Sequence, residues 1–183
     1  MKKMTIIIII SATLVAILLA AYAYLGGFTK VKINVEKVGG EVVVYKEVTG
    51  DYKNTKTFCD EVYYHLLNDL SIETYKGFGI FYNDPSRTKD KSQLYSEVGC
   101  IVEAKDTALL ANVNPAYKVK TLPVDDALTV ERKHRGGLSI LMGYIKVYPV
   151  IGKYAQENRL SDGPIMEIYD IPNMKIYYRK LIK

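Results

Sequence analysis

The chain of 183 residues is 49% hydrophobic, 11% aromatic and 25% charged, with two Cys, two His and no Trp. That suits one globular domain plus an accessory segment, and excludes intrinsic disorder and a disulfide-stapled scaffold. A structural zinc site takes about four Cys or His ligands; Cys59, His65, Cys100 and His134 show none of the paired spacings, so neither metal nor cofactor is expected. The formal charge of +5 includes Lys2 and Lys3 ahead of an apolar run. The remaining 23 Lys and Arg alternate with 20 Asp and Glu as on a solvated surface, and no nucleic-acid partner is expected.

Residues 4–25 carry no charge, and as a helix they would extend roughly 33 Å, enough to cross a hydrocarbon core of about 30 Å. Tyr22 and Tyr24 near the end suit the headgroup layer, and Gly26 and Gly27 form a flexible exit. A cleaved signal peptide is the rival reading, with Lys2 and Lys3 as n-region and Ala21-Tyr22-Ala23 as cleavage pattern. The retained anchor is favoured because the run outlasts the usual ~7–15-residue h-region. Residues 1–28 are thus expected to be a single-pass membrane anchor and 29–183 a separate domain. Flanking charge is nearly balanced, Lys2 and Lys3 against Lys30, Lys32 and Lys37; the short basic N-terminus favours a domain on the non-cytoplasmic side.

In chain order the domain then reads as a strand over 41–48 ending at Thr49-Gly50-Asp51, and an amphipathic helix over 55–68 with Phe58, Val62 and Leu66 on one face. Strands over 78–82 and 97–103 follow, joined by a polar loop opening at Asp84-Pro85. The same order returns as a strand over 127–133, a turn at Arg135-Gly136-Gly137, a helix over 138–158 and strands over 165–169 and 174–181. Pro149 is expected to kink or split the second helix. Gly50 and Gly137 lie 87 residues apart, as do Tyr82 and Tyr169, which suggests a tandem duplication. The expected fold class is therefore α+β: duplicated β-α-β-β units form one antiparallel sheet with two helices on one face and a ligand groove between the halves. Cys59 falls on the first helix and Cys100 on a strand, a placement that leaves both a pair and two buried thiols open.

The segments Gly79-Ile80-Phe81-Tyr82-Asn83-Asp84-Pro85, Ser96-Glu97-Val98-Gly99-Cys100 and Gly163-Pro164-Ile165-Met166-Glu167-Ile168-Tyr169 resemble the signature of the GyrI-like, or AraC-type effector-binding, superfamily. Leu138-Ser139-Ile140, Val147-Tyr148-Pro149, Tyr154 and Glu157-Asn158-Arg159-Leu160 resemble its membrane-anchored branch, which includes the animal testis-expressed ER-phagy receptor. The resemblance covers nearly all of the soluble part. It implies binding of small, often cationic or aromatic molecules over a carboxylate; some members hydrolyse strained electrophiles. With only the anchor ahead of the domain, a transcription-factor role is not expected. With no acidic tail after the last strand, receptor function is not carried over.

Glu167 is the leading candidate, the one charge in an apolar strand and on the face of Ile165 and Tyr169; buried, such a charge needs a cation, a donor or water. Its repeat partner is Ile80. Tyr82 and Tyr169 are expected on the same face, with Tyr63, Tyr144 and Tyr148 reaching in from the helices to complete an aromatic box for a cation. Glu97 is a second carboxylate which, paired with Glu167, would suit acid–base work. His65 and His134 read as ordinary helix and turn residues, and Ser139 lacks a nucleophile elbow. The expected function is a membrane-anchored module binding an amphipathic or cationic small molecule. Hydrolysis of an electrophilic xenobiotic and a protein-interaction domain with a filled groove are the alternatives.

Overall fold

The apolar run forms α1 (Lys2–Tyr24), with its Ile and Leu side chains exposed rather than packed on the domain. The computed structural model describes residues 2–182. By length and composition α1 is a candidate membrane span. The rest is α+β: β1 (Asn34–Val38), β2 (Val42–Thr49), α2 (Thr55–Leu70), β3 (Lys76–Phe81), β4 (Tyr95–Val102), β5 (Lys118–Thr121), β6 (Asp125–Lys133), α3 (Gly137–Glu157), β7 (Ile165–Asp170) and β8 (Lys175–Leu181). All eight strands join one antiparallel sheet in the order β1-β6-β8-β7-β3-β4-β2-β5. The two strand-helix-strand-strand units thus lie side by side, and β3 meets β7 at the centre.

Each edge carries a strand that the sequence reading missed. β1 extends the sheet beyond β6 and β5 beyond β2, and their polar, mostly exposed residues give little period-2 signal. These edge strands also reveal the sheet's shape. Residues 39–41 alone link β1 to β2, and 122–124 alone link β5 to β6. In a flat sheet each pair would stand roughly 29 Å apart, whereas such a link reaches at most about 14 Å. The sheet therefore curls until its two ends meet. There Gly40 N donates to Leu122 O and Leu122 N to Glu41 O, each at 2.9 Å, and Arg179 of β8 reaches Glu41 at 2.7 Å.

Curling gives the sheet an inner face that buries itself. Val43, Tyr45, Phe78, Ile80, Met166 and Ile168 pack there without any helix. The outer face takes both helices: Val62 and Leu66 of α2 cover Val44, Cys100 and Val102, while Val147 and Ile151 of α3 cover Leu128, Val130, Ile176 and Tyr178. Contrary to expectation Pro149 does not split α3, which runs unbroken from Gly137 to Glu157. Its ring lies on the exposed side, where a missing N–H bond leaves no polar group sealed from water. Cys59 on α2 and Cys100 on β4 beneath it are free thiols, with Cys59 Sγ donating to Gly99 O at 3.2 Å.

The 87-residue register fails at the central pair. Directly paired residues of antiparallel strands share a face, and here Gly79 pairs with Glu167 and Ile80 with Met166. Ile80 therefore points inward, with Met166, while Glu167 points outward beneath the helices. Gly77 and Gly79 share the outer face with Glu167 and Tyr169, all at odd positions, so an offset of 87 carries a residue of β3 onto the opposite face of β7.

The crossing at Gly39 is a sharp test of the curl. Gly39 has φ +117° and a Cβ there would lie 1.9 Å from Pro123 O, whereas Gly50 has φ +127° in open space. Gly39→Ala is expected to lower stability in chemical denaturation by about 1–3 kcal/mol more than Gly50→Ala, the excess being steric overpacking beyond shared backbone strain.

Candidate functional site

The floor of the outer face between the helices is made by the central strands. β3 contributes Gly77 and Gly79, and β7 opposes them with Tyr169 and Glu167. Without side chains at the two glycines, neighbours fold into the space: a Cβ on Gly79 would meet the Phe81 ring at 2.8 Å and one on Gly77 would meet Cys59 Sγ at 3.2 Å. Tyr52, from the turn before α2, sets its ring 4.9 Å from Phe81.

Glu167 is 4% exposed and forms no ion pair among the described residues. Two phenols satisfy it instead. Tyr148 OH donates to Oε1 at 2.8 Å and Tyr169 OH donates to Oε2. Burial pushes the carboxyl above its ordinary range, and the two donors offset part of that push. The same burial, then the Glu167 charge, hold Tyr148 and Tyr169 well above the usual phenol range. Both therefore remain donors at neutral pH.

A third phenol stands beside this pair. Tyr178 is directly opposite Glu167 on β8, its ring 6.4 Å from that of Tyr148, and its buried hydroxyl has no hydrogen-bond partner among the described residues. Gly143 of α3 makes room for it, since a Cβ there would fall 1.8 Å from the hydroxyl. Farther out, the Tyr144 ring lies 5.1 Å from Tyr148, and its hydroxyl reaches Asp84 Oδ1 at 3.4 Å.

A cleft of about 670 Å³ opens along α3 against the β3–β4 loop, walled by Phe81, Asp84, Tyr144, Tyr148, Pro149 and Ile165. Glu167 and Tyr169 do not line it; Tyr148 stands between the acid and the opening. At the far end Lys180, 4% exposed, donates to Gly163 O at 2.8 Å. Burial lowers its pKa against the pull of Asp162.

The structure therefore brings Glu167, Tyr169, Tyr148 and Tyr144 together and leaves three expected residues elsewhere. Tyr82 touches the cleft rim, but pairing with Tyr95 aligns it with the inner-face register. Burial and the Glu97 charge raise its phenol well above the usual range. Tyr63 packs in the α2 core with its ring 5.3 Å from Tyr64, outside the cleft. Glu97 pairs across the sheet with Ile80 and so faces inward, where it is 6% exposed and bound to Lys120, whose Nζ lies 4.5 Å from the Tyr45 ring centroid. The sheet thus separates the two carboxylates, and an acid–base pair of Glu167 with Glu97 has no common space to work in. His65 is structural: Nδ1 meets Asp69 Oδ2 at 2.6 Å and Nε2 accepts from Asn114 N at 3.1 Å. Tyr178, Phe81, Tyr52 and Lys180 were not singled out from sequence. The one available signal was the glycine pair in β3, since strand glycines mark close approach.

No family model and no curated protein matches the chain. Solved structures do. The C-terminal domain of EcmrR aligns with a TM-score of 0.58 at 13% identity, over 84% of this chain and 98% of its own. SAV2435 bound to tetraphenylphosphonium aligns at 0.55 and 13%, over 83% and 94% respectively. A hydrolase from Listeria innocua aligns at 0.51 and 10%, over 88% and 98%. At these identities the likeness is one of fold alone.

Two measurements probe this site. The folded state holds the Glu167 proton more tightly than the unfolded chain, where glutamate titrates near 4.5. That group's contribution to stability is therefore full below this value and is lost as pH rises toward the folded one. In denaturant melts Glu167→Gln is expected to gain stability relative to wild type as pH rises through that window. The second contrasts two helix glycines. Gly143→Ala is expected to destabilise by about 1–3 kcal/mol through the Tyr178 clash, whereas Gly152→Ala, with nothing within 4 Å, is expected to stabilise by up to about 1 kcal/mol.

Proposed function

We propose that this protein binds small amphipathic or cationic molecules in the cleft along α3, with Glu167 as the electrostatic anchor and Tyr148, Tyr169 and Tyr144 as the aromatic surround. In this reading α1 holds the protein in a membrane, with the domain on the non-cytoplasmic side that the short basic N-terminus favours. The groove lies between two pseudo-symmetric halves, as the mirrored strand order suggests. The observation that carries the proposal is a carboxyl buried without a cation, lidded by a tyrosine that itself walls a cleft of about 670 Å³.

A cation entering the cleft supplies the missing countercharge. It meets the Tyr148 and Tyr144 faces first, each contact worth about 0.5–2 kcal/mol according to desolvation. Rotation of Tyr148 about its side-chain torsions then uncovers Oε1 of Glu167. The incoming charge favours the carboxylate over the acid, so binding releases a proton wherever the free carboxyl is protonated.

Tetraphenylphosphonium, held by a protein of the same fold, is the probe. Calorimetric titration of the full chain in detergent micelles is expected to show an affinity roughly tenfold or more weaker in Glu167→Gln, a loss of about 1.4 kcal/mol per decade. Wild-type affinity is expected to rise with pH until the carboxyl is fully ionised. Equal affinities for wild type and Glu167→Gln would remove the anchor from the account.

A further inference from the structure

On the reading of α1 as a membrane span, we propose that the soluble domain lies down on the bilayer through the outer face of α3, against a surface containing anionic phospholipids, instead of hanging free from its anchor. α3 is amphipathic twice over. Its Val147 and Ile151 are fully buried in the domain. On the opposite side Leu138, Leu141 and Ile145, at helical spacing i, i+3 and i+7, are 65%, 53% and 55% exposed. Those three large aliphatic side chains form a stripe on a helix that already has its core.

The contacts of the chain leaving α1 place that stripe beside the membrane boundary. Lys146, next to Ile145, donates to Thr29 O at 2.9 Å and to Gly27 O. Arg132 donates to Leu25 O and Gly26 O, each at 3.1 Å, and the Arg135 guanidinium lies 4.4 Å from the Tyr24 ring centroid. The middle of α3 therefore sits about one lysine length from residues that immediately follow the span. A helix end at the headgroup layer carries this surface with it.

Around the exit the chemistry matches an anionic interface. Tyr24 and Phe28 are 62% and 68% exposed, amphipathic or apolar rings at the depth where such rings concentrate. A small cleft of about 290 Å³ beside Tyr24 is bordered by Lys30, Arg132, Lys133 and Arg135 with Glu131 as its one acid. Aliphatic groups on one side and clustered Lys and Arg on the other are what a surface-lying helix needs to hold both acyl chains and phosphates. The stripe also adjoins the binding cleft. Ile145 borders it together with Tyr144 and Tyr148, so a ligand dissolved in the headgroup layer reaches the cleft along α3 without crossing bulk water.

The test uses full-length protein reconstituted in vesicles of phosphatidylcholine and phosphatidylglycerol, labelled with a nitrobenzoxadiazole fluorophore at Leu141→Cys, at Ile145→Cys or, as the aqueous reference, at Lys105→Cys. Unsubstituted protein, whose thiols Cys59 on α2 and Cys100 on β4 face each other between helix and sheet, is the labelling blank. The labels at 141 and 145 are expected to be quenched by doxyl-bearing lipid and to resist aqueous iodide about threefold or more better than the label at 105. The protection is expected to weaken in pure phosphatidylcholine and in Lys133→Glu. Iodide access equal to that at 105, in protein that floats with the vesicles, overturns the docking alone. Protection without lipid quenching, increasing with protein density, shows a second copy on the stripe and overturns it too. Failure of the protein to float removes the membrane reading of α1 and this inference with it.

Discussion

A carboxylate sealed in protein without a cation is the constraint around which the outer face is arranged. Ionised and alone, Glu167 would cost several kcal/mol. Two phenol donors bring that cost down without a countercharge, and the carboxyl responds with a raised proton affinity. Each donor comes from a different part of the fold, Tyr169 from the same strand and Tyr148 from α3. The site exists only when α3 is seated on β6 and β8, and that seating needs Gly143 to admit Tyr178.

Curvature gives the two faces of the sheet different tasks. Turned inward, the sheet buries Val43, Phe78, Ile80, Met166 and Ile168 in a core of its own, so the helices need not close over the centre. α2 and α3 cover one unit each and leave the β3–β7 seam with glycines on one strand and polar side chains on the other. The charged groups divide in the same way. Glu97 with Lys120 and Glu41 with Arg179 are ion-paired on the inner side, where pairing offsets burial and holds the curl. Glu167 on the outer side has no such partner.

Much of this was legible in the sequence because it is local. The β-branched run at 42–48, the Phe58, Val62, Leu66 stripe and the lone acid in Ile165-Met166-Glu167-Ile168-Tyr169 each report their own surroundings, and the central elements fall within a few residues of where the pattern puts them. What escaped depends on pairing between distant segments. β1 and β5 are polar ribbons held as strands by their neighbours. Tyr82 was assigned to the wrong face because a repeat register one residue out inverts every side chain, and Gly79 opposite Glu167 fixes the true one; Glu97, read as a second carboxylate near the groove, is placed on the other face only by its pairing with Ile80. Tyr178 lies directly across from Glu167, yet 16 tyrosines in one chain offer no way to select it before the register is known.

The asymmetry between the units explains why a site forms on one side of the seam. In the first unit the strand next to the seam offers Gly77 and Gly79 to the outer face, and α2 lowers Cys59 onto the gap; small groups on both sides close it. In the second unit the corresponding strand offers Tyr169 and Glu167, too large to be covered in the same way, and α3 answers with Tyr148 and Tyr144 above them. The glycines of one half thus supply the volume that the aromatic rings of the other half line. Adding a side chain at Gly79 would push Phe81 out of the seam, and the cleft would lose a wall although Glu167 and its two donors stayed in place. Two units of like strand order thus leave a cleft on one side only, through this exchange of small for large across a single strand pair.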